Sequence, residues 1–386
     1  MIRVRFTVEY SDRLCYRSRI GSLLLTWCWN PLDQQNLHTR EGVIRSWRNG
    51  YSQGMRVLSK TLATMAQRAD SVHNSLFHHL SGYNDVPRDW RPVESYQYIF
   101  TQVEAGSEPH IIETDVVVVG SGPGGGLTAK NLAEAGHKVL VVDKGYHFPP
   151  SQLPMTQASG TSLLFSNGGA IMSEDGGTVT INGSAWGGAG SVNWSVCLNT
   201  PDYVRDEWAE AGLPMFKSTA FDECLTRVNE LVGASTSGIV HNHQNRVILE
   251  ASKKLGWKAH VAPQNTFGKT HACGQCHLGC GSGEKMGPTV TSLPAAAKAG
   301  AQFMEGFRID KITFADDGVT ATGVEGVWTA RGPGGAVHTP EGERLQRRVV
   351  VRAKKVVIAG GALWSPLVLM QSGVEVSTAY ILLQDC

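Results

Sequence analysis

The sequence DVVVVGSGPGGGLTAKNLAEAGHKVLVVDKG, Asp115–Gly145, decides the fold class. Val116–Val119 is a wholly apolar, β-branched run, which is typical of a parallel strand buried on both faces. A glycine-rich turn follows, and apolar residues then recur at helical spacing as far as Gly136, which is placed to end the helix. His137–Val142 is a second apolar run, and Asp143 comes directly after it. The stretch predicts strand, turn, helix and strand, as in an α/β fold with a parallel sheet.

The turn has the spacing of a dinucleotide-binding loop. Gly120 would allow the tight turn, Gly122 would let a pyrophosphate approach the backbone, and Gly125 would let helix and strand pack closely. The helix N-terminus adds unpaired N–H groups and a positive dipole end. Asp143 lies about 20 residues on, where an acid that binds ribose is expected. The predicted nucleotide site is therefore Gly120, Ser121, Gly122, Pro123, Gly124, Gly125 and Asp143. A glycine turn without a ligand is the alternative, and these residues alone leave flavin and nicotinamide both open.

Charge and length limit the classes of ligand. The 35 Lys and Arg residues nearly balance the 34 Asp and Glu residues, so no global field attracts nucleic acid or an anionic membrane. A small or neutral ligand fits better. The 386 residues suffice for roughly two to three domains. No apolar run approaches the roughly 18 residues that a membrane-spanning helix needs, so membrane insertion is not expected.

The cysteines and the N-terminal residues bear on the compartment. Three of the eight cysteines lie inside Cys273–Cys280, which is unlike the disulfide framework of a small secreted domain. We therefore expect an intracellular location. The first 20 residues carry five arginines but also acids, and no small-residue cleavage site follows Trp29. A targeting peptide is the less favoured interpretation of this start.

Three stretches together resemble the glucose–methanol–choline (GMC) family of flavoprotein oxidoreductases: the glycine turn, WGGAGSVNW at Trp186–Trp194, and GALWSPLVLMQSGV at Gly361–Val374. The third looks like the family's second signature, although Glu375 stands where that signature usually has glycine. Three further stretches are similar to the fungal long-chain fatty alcohol oxidases of this family: SVNWSVCLNTPDYVRDEWAE, CGQCHLGCGSGEKMGPTVTSLPAAAKAGAQF and the upstream GYNDVPRDWRPVESYQYIF. The resemblance extends from about Glu41 to Val374.

The resemblance implies a cofactor and a reaction. FAD would be the bound nucleotide, a long-chain primary alcohol the substrate, and oxygen the acceptor that is reduced to hydrogen peroxide. It also implies that Gly187, Gly188, Ser191 and Asn193 lie along the flavin, with Asn193 near the reactive edge of the ring. Small residues suit such a loop because the backbone must pass close to a flat cofactor.

The implied architecture is a Rossmann-like FAD-binding domain with a parallel sheet, an incomplete α+β substrate domain and an N-terminal helical extension. The extension would be residues 1–110, in which Glu41–Arg68 has the period of an amphipathic helix, or of a helix pair kinked at Gly50 and Gly54. Its apolar stripe packs on the protein or, as the minority interpretation, docks peripherally on a membrane. Residues 111–200 would be the FAD-binding segment with the flavin loop, residues 201–305 the helical and cysteine-rich part of the substrate domain, and residues 306–386 a β meander that returns to the first sheet.

Cys273, Cys276 and Cys280, with His271 and His277, form the most metal-like cluster in the sequence. A Cys-x-x-Cys pair suits zinc, redox exchange or an iron–sulfur cluster, but three thiolates leave a four-ligand site one short unless a histidine completes it. A structural or disulfide loop is the favoured interpretation. We therefore expect no bound metal, with metal and redox roles as the alternatives.

Oxidation of an alcohol needs a base within about 3 Å of the hydroxyl whose proton it takes. In the resembling family this base is a histidine far downstream of the second signature, whereas all thirteen histidines here precede Gln371. The sequence after Val374 no longer resembles the family, which suggests C-terminal truncation or mis-splicing. The chain is expected to lack the base, and no catalytic residue is assigned, because His241 and His243 are better explained as a solvated loop pair. A non-catalytic FAD-binding part of such an oxidoreductase is the alternative to an active oxidase, and an NAD-dependent dehydrogenase is a weaker third.

Overall fold

The structure, a computed structural model, describes residues 28–31, 34–82, 86, 91–173, 177–338 and 340–374. The N-terminal start, most of the interval 84–92 and the residues after Val374 lie outside this part of the chain. Two compact units are present, one comprising Met1–Asn84 with Ile171–Thr180 and the other Asp85–Ala170 with Ile181–Cys386. The division of the sequence into four parts remains a prediction.

The elements are as follows. The described helices are α1 (Leu37–Arg48), α2 (Gln53–His73), α3 (Ser75–Ser81), α4 (Pro123–Glu134), α5 (Gln157–Leu163), α6 (Ala189–Val192), α7 (Asp202–Glu210), α8 (Thr219–Leu231), α9 (His243–Leu255), α10 (Ser292–Lys298) and α11 (Trp364–Gln371). The described strands are β1 (His110–Val119), β2 (Val139–Val142), β3 (Ile171–Met172), β4 (Val179–Thr180), β5 (Ala234–Ser235), β6 (Gln264–Asn265), β7 (Gln302–Met304), β8 (Phe307–Phe314), β9 (Ala321–Thr329) and β10 (Gln346–Ile358). Short 3₁₀ turns lie between them.

The first unit contains the predicted helix pair. The side chain of Asn36 caps α1 by accepting a hydrogen bond from the N–H of Thr39 at 2.9 Å. Val43 and Trp47 are buried, and the apolar residues packed against them come from both helices: Ile44, Met55, Leu58 and Leu62. The apolar stripe thus holds α1 on α2, and membrane docking remains a prediction. Among the described residues no helix is both long and apolar enough to cross a bilayer.

The second unit is built on a six-stranded sheet in the order β7-β2-β1-β10-β9-β8. The first four strands are parallel, which confirms the predicted parallel sheet. β9 and β8 continue it in antiparallel fashion, which confirms the predicted meander. β10 joins the two halves, because it pairs in parallel with β1 and in antiparallel fashion with β9. The chain therefore returns to its first sheet, as expected.

The two faces of the parallel strands bury different partners, because successive side chains of a strand point to opposite faces. Val117 and Val119 lie in one cluster, in which the main partners are Leu140, Val142, Phe307, Trp328 and Val351, with Val368 and Leu369 of α11 packed against it. Val116 and Val118 lie in the other, in which the main partners are Val139, Val141, Ala129, Ala133, Leu293 and Ala296. The second face is thus covered by α4 and α10. The sheet is therefore buried on both sides at its centre.

In the second strand-turn-helix unit, which is β10 followed by α11, the helix begins two residues before the start that its local sequence indicates. Ser365 and Pro366 have the sequence of an N-cap followed by the first helical residue, but α11 begins at Trp364 with Leu363 as its N-cap. The N–H of Ser365 already donates to the carbonyl of Gly361 at 3.0 Å, so the helical turn starts earlier. Pro366 is tolerated because the N–H groups of the first turn have no intrahelical partner.

An aromatic cluster packs beside the ends of β2 and β7. The ring of His147 lies 4.6 Å from that of Tyr98, and Phe100, Trp186 and Phe303 surround Tyr98. The N–H of His147 donates to Glu305 Oε2 at 2.8 Å, and its carbonyl accepts from Arg331. Burial, together with the nearby positive charge of Arg331, lowers the pKa of His147 to about 4. His147 is therefore neutral near neutral pH.

Leu140→Ala is expected to destabilise the second unit by about 2–5 kcal/mol, because Leu140 is 1% exposed at the centre of the sheet and its truncation leaves a cavity. Urea unfolding would measure the change. The matched control is Leu198→Ala, since Leu198 is 74% exposed and its removal should change stability by less than about 0.5 kcal/mol. Equal losses in the two variants would contradict the assigned core.

His147→Phe is expected to reduce the loss of stability in mild acid. An unfolded histidine takes up a proton with a pKa near 6.5, but the folded protein takes it up only near 4, so acidification between these values favours unfolding. The contribution is fully present above about pH 6.5 and is lost as the pH falls through 4, by at most about 3 kcal/mol. Urea unfolding from pH 7.5 to 4 should show the two proteins diverging below pH 6.5. Parallel curves would contradict the buried, neutral His147.

Candidate functional site

A cavity of about 760 Å³ lies where the carboxyl ends of β1, β2 and β10 meet the glycine turn. Its size is in the range of small-molecule sites, and the carboxyl ends of parallel strands are where open α/β sheets bind ligands. The predicted site residues on its wall are Gly120, Gly122, Pro123, Gly124, Asp143 and Gly188. The structure thus brings the turn and the second glycine loop to one cavity.

Gly120, Gly122 and Gly125 differ in what a side chain would meet at each position. Gly120 has a φ of +108°, and a side chain there would overlap the carbonyl of Ala359. A side chain at Gly125 would overlap the carbonyl of Gly120. At Gly122, by contrast, a Cβ would meet no protein atom nearer than the Cα of Gly188 at 4.0 Å. Packing of the chain itself therefore demands Gly120 and Gly125, whereas Gly122 faces open space in the cavity.

The N-terminus of α4 also faces the cavity. Gly122 is its N-cap and has no side chain to cap the helix, and Pro123 occupies the first turn. The first N–H groups of a helix have no intrahelical partner and lie at the positive end of its dipole. Because Gly122, Pro123 and Gly124 all line the cavity, this terminus can receive an anionic group such as a phosphate.

Asp143 is held by the chain's own donors. One carboxylate oxygen accepts the N–H of Ser121 at 2.7 Å and its hydroxyl at 2.6 Å, and the other accepts the N–H of Gly145 at 2.8 Å. Burial raises the pKa of Asp143 above its usual value, while these hydrogen bonds oppose the rise. The carboxylate therefore fixes the turn. Asp143 also lines the cavity and has further lone pairs that could accept hydrogen bonds from a ligand. A contact between Asp143 and a ribose remains a prediction.

The second glycine loop is tied to the first through Ser121, the hydroxyl of which accepts the N–H of Gly187 at 2.8 Å. Ser191 donates to the carbonyl of Trp186 at 2.9 Å, and the side-chain oxygen of Asn193 accepts the N–H of Ser195 at 3.0 Å. Within the described residues, the predicted positions that do not line the cavity are Ser121, Gly125, Gly187, Ser191 and Asn193. Their contact with a cofactor remains a prediction.

Lys285 supports this loop, and nothing in the sequence indicated that role. The side chain is buried, and its ammonium donates to the carbonyls of Ser191 at 2.9 Å, Asn193 at 3.0 Å and Cys276 at 2.6 Å. Burial lowers the pKa of Lys285. A single lysine among glycines is normally a surface residue, so only the fold shows that it joins three segments.

Three further residues on the cavity wall were also not predicted. The ammonium of Lys144 lies 3.9 Å from the centre of the Trp364 ring, which is a cation–π contact. Trp364 Nε1 and Asn182 Nδ2 are buried and have no hydrogen-bond partner among the described residues. Trp364 lies within the signature stretch, which was the available signal.

The cysteine loop forms a compact cluster of its own. His271 Nε2 lies 2.8 Å from Cys276 Sγ, and His271 Nδ1 lies 2.7 Å from Glu284 Oε2. Cys273, Cys276 and Cys280 are free thiols. Hydrogen bonds from Cys273 and His271 hold the pKa of the Cys276 thiol well below its usual range, and Cys276 in turn raises the pKa of His271.

The remaining histidines of interest lie elsewhere. His277 contacts Gln157 at 3.2 Å and stacks on Trp194. His243 is exposed at the first position of α9, next to the N-cap Asn242, and His241 precedes it. In the part of the chain that the structure describes, no histidine lines the cavity.

The comparisons with known proteins agree with this architecture. A family model described as GMC oxidoreductase matches residues 161–379, and one described as pyridine nucleotide-disulphide oxidoreductase matches residues 114–171. The long-chain-alcohol oxidase FAO3 of Arabidopsis thaliana is 32% identical over 265 residues, which cover 68% of this chain and 35% of that protein. The oxidase FAO4B of the same plant is 31% identical over 271 residues, or 70% of this chain and 35% of that protein.

The chain therefore spans about a third of the length of the curated relatives that it matches. Among solved structures, a formate oxidase from Aspergillus oryzae RIB40 aligns with a TM-score of 0.45 at 16% identity, covering 69% of this chain and 48% of that one. The GMC model, however, matches more than half of the residues of this chain. On that match, the chain belongs to the GMC oxidoreductase family.

Proposed function

We propose that this chain binds FAD and serves the oxidation of long-chain primary alcohols to aldehydes, with oxygen reduced to hydrogen peroxide. The observation that carries the proposal is the 760 Å³ cavity walled by two glycine loops and an uncapped helix N-terminus. The substrate class rests on the relatives, which are long-chain-alcohol oxidases at 31–32% identity.

The residues on the cavity wall fit a flavin dinucleotide. The terminus of α4, preceded by Gly122, suits a pyrophosphate. Lys144 adds a positive charge to the same wall. The lining is otherwise largely apolar, which suits the flat rings of such a cofactor.

When bound, FAD would supply the hydride acceptor for the alcohol carbon and pass the electrons on to oxygen. The residues of the chain itself would hold and orient the cofactor. Ser121 and Asp143 keep the two glycine loops together, so their backbones meet the cavity in fixed positions. Lys285 fixes the carbonyls of Ser191 and Asn193 in the loop that the family resemblance assigns to the flavin.

A second candidate function is flavin binding without turnover. It is favoured by the composition of the cavity wall, on which the described titratable residues are Asp143, Lys144, Arg308 and Asp310, with no histidine. Asp143 is already engaged by three donors. We propose that the proton acceptor for the alcohol is not among these residues. Formation of hydrogen peroxide distinguishes alcohol oxidation from flavin binding without turnover.

Gly122→Ala is expected to weaken FAD binding by about tenfold or more, equivalent to about 1.4 kcal/mol or more, because the methyl group would enter space that the proposed pyrophosphate needs. The fold should survive, since the new Cβ meets no protein atom within less than 4.0 Å. Titration calorimetry with FAD, and with NAD as competitor, would measure the affinities.

The matched control is Gly42→Ala in α1, where a Cβ meets nothing within 4 Å. Gly42 does not line the cavity. It should leave FAD affinity unchanged. Unaltered FAD affinity of Gly122→Ala would contradict the proposed turn, and binding of NAD in place of FAD would contradict the cofactor.

Loaded with FAD, the chain is expected to be yellow, and under the second candidate function it produces no hydrogen peroxide from a long-chain primary alcohol. General base catalysis contributes roughly 10²–10⁴-fold, and its lack leaves turnover below detection. A peroxidase-coupled assay with dodecanol would measure the rate. Sustained peroxide formation would show that a base is present, with His241→Gln and His243→Gln as the first variants to examine.

A further inference from the structure

We propose that His271, Cys273 and Cys276 bind a zinc ion that fixes the loop Gly187–Asn193 from behind. The ligand atoms of these three residues all lie within 4.8 Å of one another. No other group of three such side chains was found in the described part of the chain. The site is separate from the cavity, so the proposal does not depend on the proposed function.

The set of donor atoms suits zinc. Two thiolates with one imidazole are soft and borderline ligands, and two residues between the cysteines is the spacing of many structural zinc sites. Tetrahedral zinc with Zn–S near 2.3 Å and Zn–N near 2.0 Å places its ligand atoms roughly 3.5–3.8 Å apart. His271 Nε2 and Cys276 Sγ, now 2.8 Å apart, would therefore separate by less than about 1 Å.

The surroundings orient these ligands as in established metal sites. Glu284 contacts His271 Nδ1 at 2.7 Å, which leaves Nε2 for the ion, and the side chain of His271 is 2% exposed. The N–H of Gln275 donates to Cys273 Sγ at 3.5 Å, and the hydroxyl of Ser195 donates to Cys276 Sγ at 3.5 Å. Each ligand thus has a hydrogen-bond partner of its own.

The expectation of no metal rested on three thiolates leaving a four-ligand site one short, whereas the structure groups His271 with two of the three cysteines. Cys280 lies outside the group, since its thiol contacts Ser282 Oγ at 3.6 Å and the N–H of Lys285 at 3.4 Å. His277 is also directed elsewhere. Three protein ligands therefore hold the ion, and a water molecule takes the fourth position, as in zinc sites with three protein ligands.

The site is joined to the predicted flavin loop by short paths. The carbonyl of Cys276 accepts from Lys285 at 2.6 Å, and the same ammonium holds the carbonyls of Ser191 and Asn193. Ser195, which bonds Cys276, also donates its N–H to Asn193. A zinc ion would lock Cys276 and, through these contacts, the loop.

The test is zinc content of the whole chain, purified under a phosphine reductant, loaded with zinc and desalted. One equivalent per chain is expected by elemental analysis. Cys273→Ser and His271→Gln should lose it, and Glu284→Gln should weaken zinc affinity roughly 10–100-fold in a chelator competition. The matched control Cys224→Ser removes an exposed thiol of α8 and should retain the full equivalent.

Cobalt replacement guards against variants that fail to fold, because it uses the unaltered chain. Cobalt bound by two thiolates and an imidazole should give the intense visible bands of tetrahedral coordination together with thiolate charge-transfer bands. Three results would each overturn the proposal. They are cobalt bands typical of octahedral oxygen ligation, equal retention of zinc by Cys273→Ser, and a Cys273–Cys276 disulfide in a chain that binds no zinc once this bond has been reduced.

Discussion

The close approach of the glycine turn to the end of β10 is the constraint on which the rest of the second unit depends. The N–H of Gly120 bonds the last carbonyl of β2, and the N–H of Ala359 bonds the last carbonyl of β1, so the turn lies between three strand ends. A side chain at Gly120 or Gly125 would overlap a backbone carbonyl there. The absence of two Cβ atoms thus lets three strands and a helix meet at one point, and the cavity is the space that remains beside them.

Hydrogen bonds between segments that are distant in sequence connect this turn to the second glycine loop and to the cysteine loop. Asp143 holds Ser121, and Ser121 holds Gly187. Lys285 then joins the carbonyls behind the second loop to the cysteine loop. Each of these polar groups is satisfied by protein atoms, and a buried polar group that loses its partner costs about 1–3 kcal/mol. The arrangement is therefore stiff, which is what a site must be if backbone atoms are to meet a rigid cofactor.

The sequence predicted what is local. Val116–Val119 formed its strand and the turn its loop, because apolar period and glycine spacing act over a few residues. Contacts between distant segments could not be predicted, and the three carbonyls around Lys285 are an example. Two local signals also disagreed at the start of α11. Ser365 has the sequence of an N-cap, but its N–H donates to the carbonyl of Gly361, and the helix begins at Trp364. The sequence indicated His271 and His277 equally as partners of the cysteines, and only the fold brings His271 to them, because side-chain direction depends on the fold.

The position of β10 in the sheet has a consequence for how the protein is made. β1 finds its parallel partner more than 200 residues later, where His110 pairs with Val349. A ribosome that adds 5–20 residues per second needs roughly 10–50 s to reach that point. During this interval the nascent β1 has β2 on one side and an unpaired, valine-rich edge on the other, and such edges invite pairing with foreign strands. The sheet therefore cannot be completed before β10 has been synthesised, and the same strand that completes the cavity covers the open edge of β1.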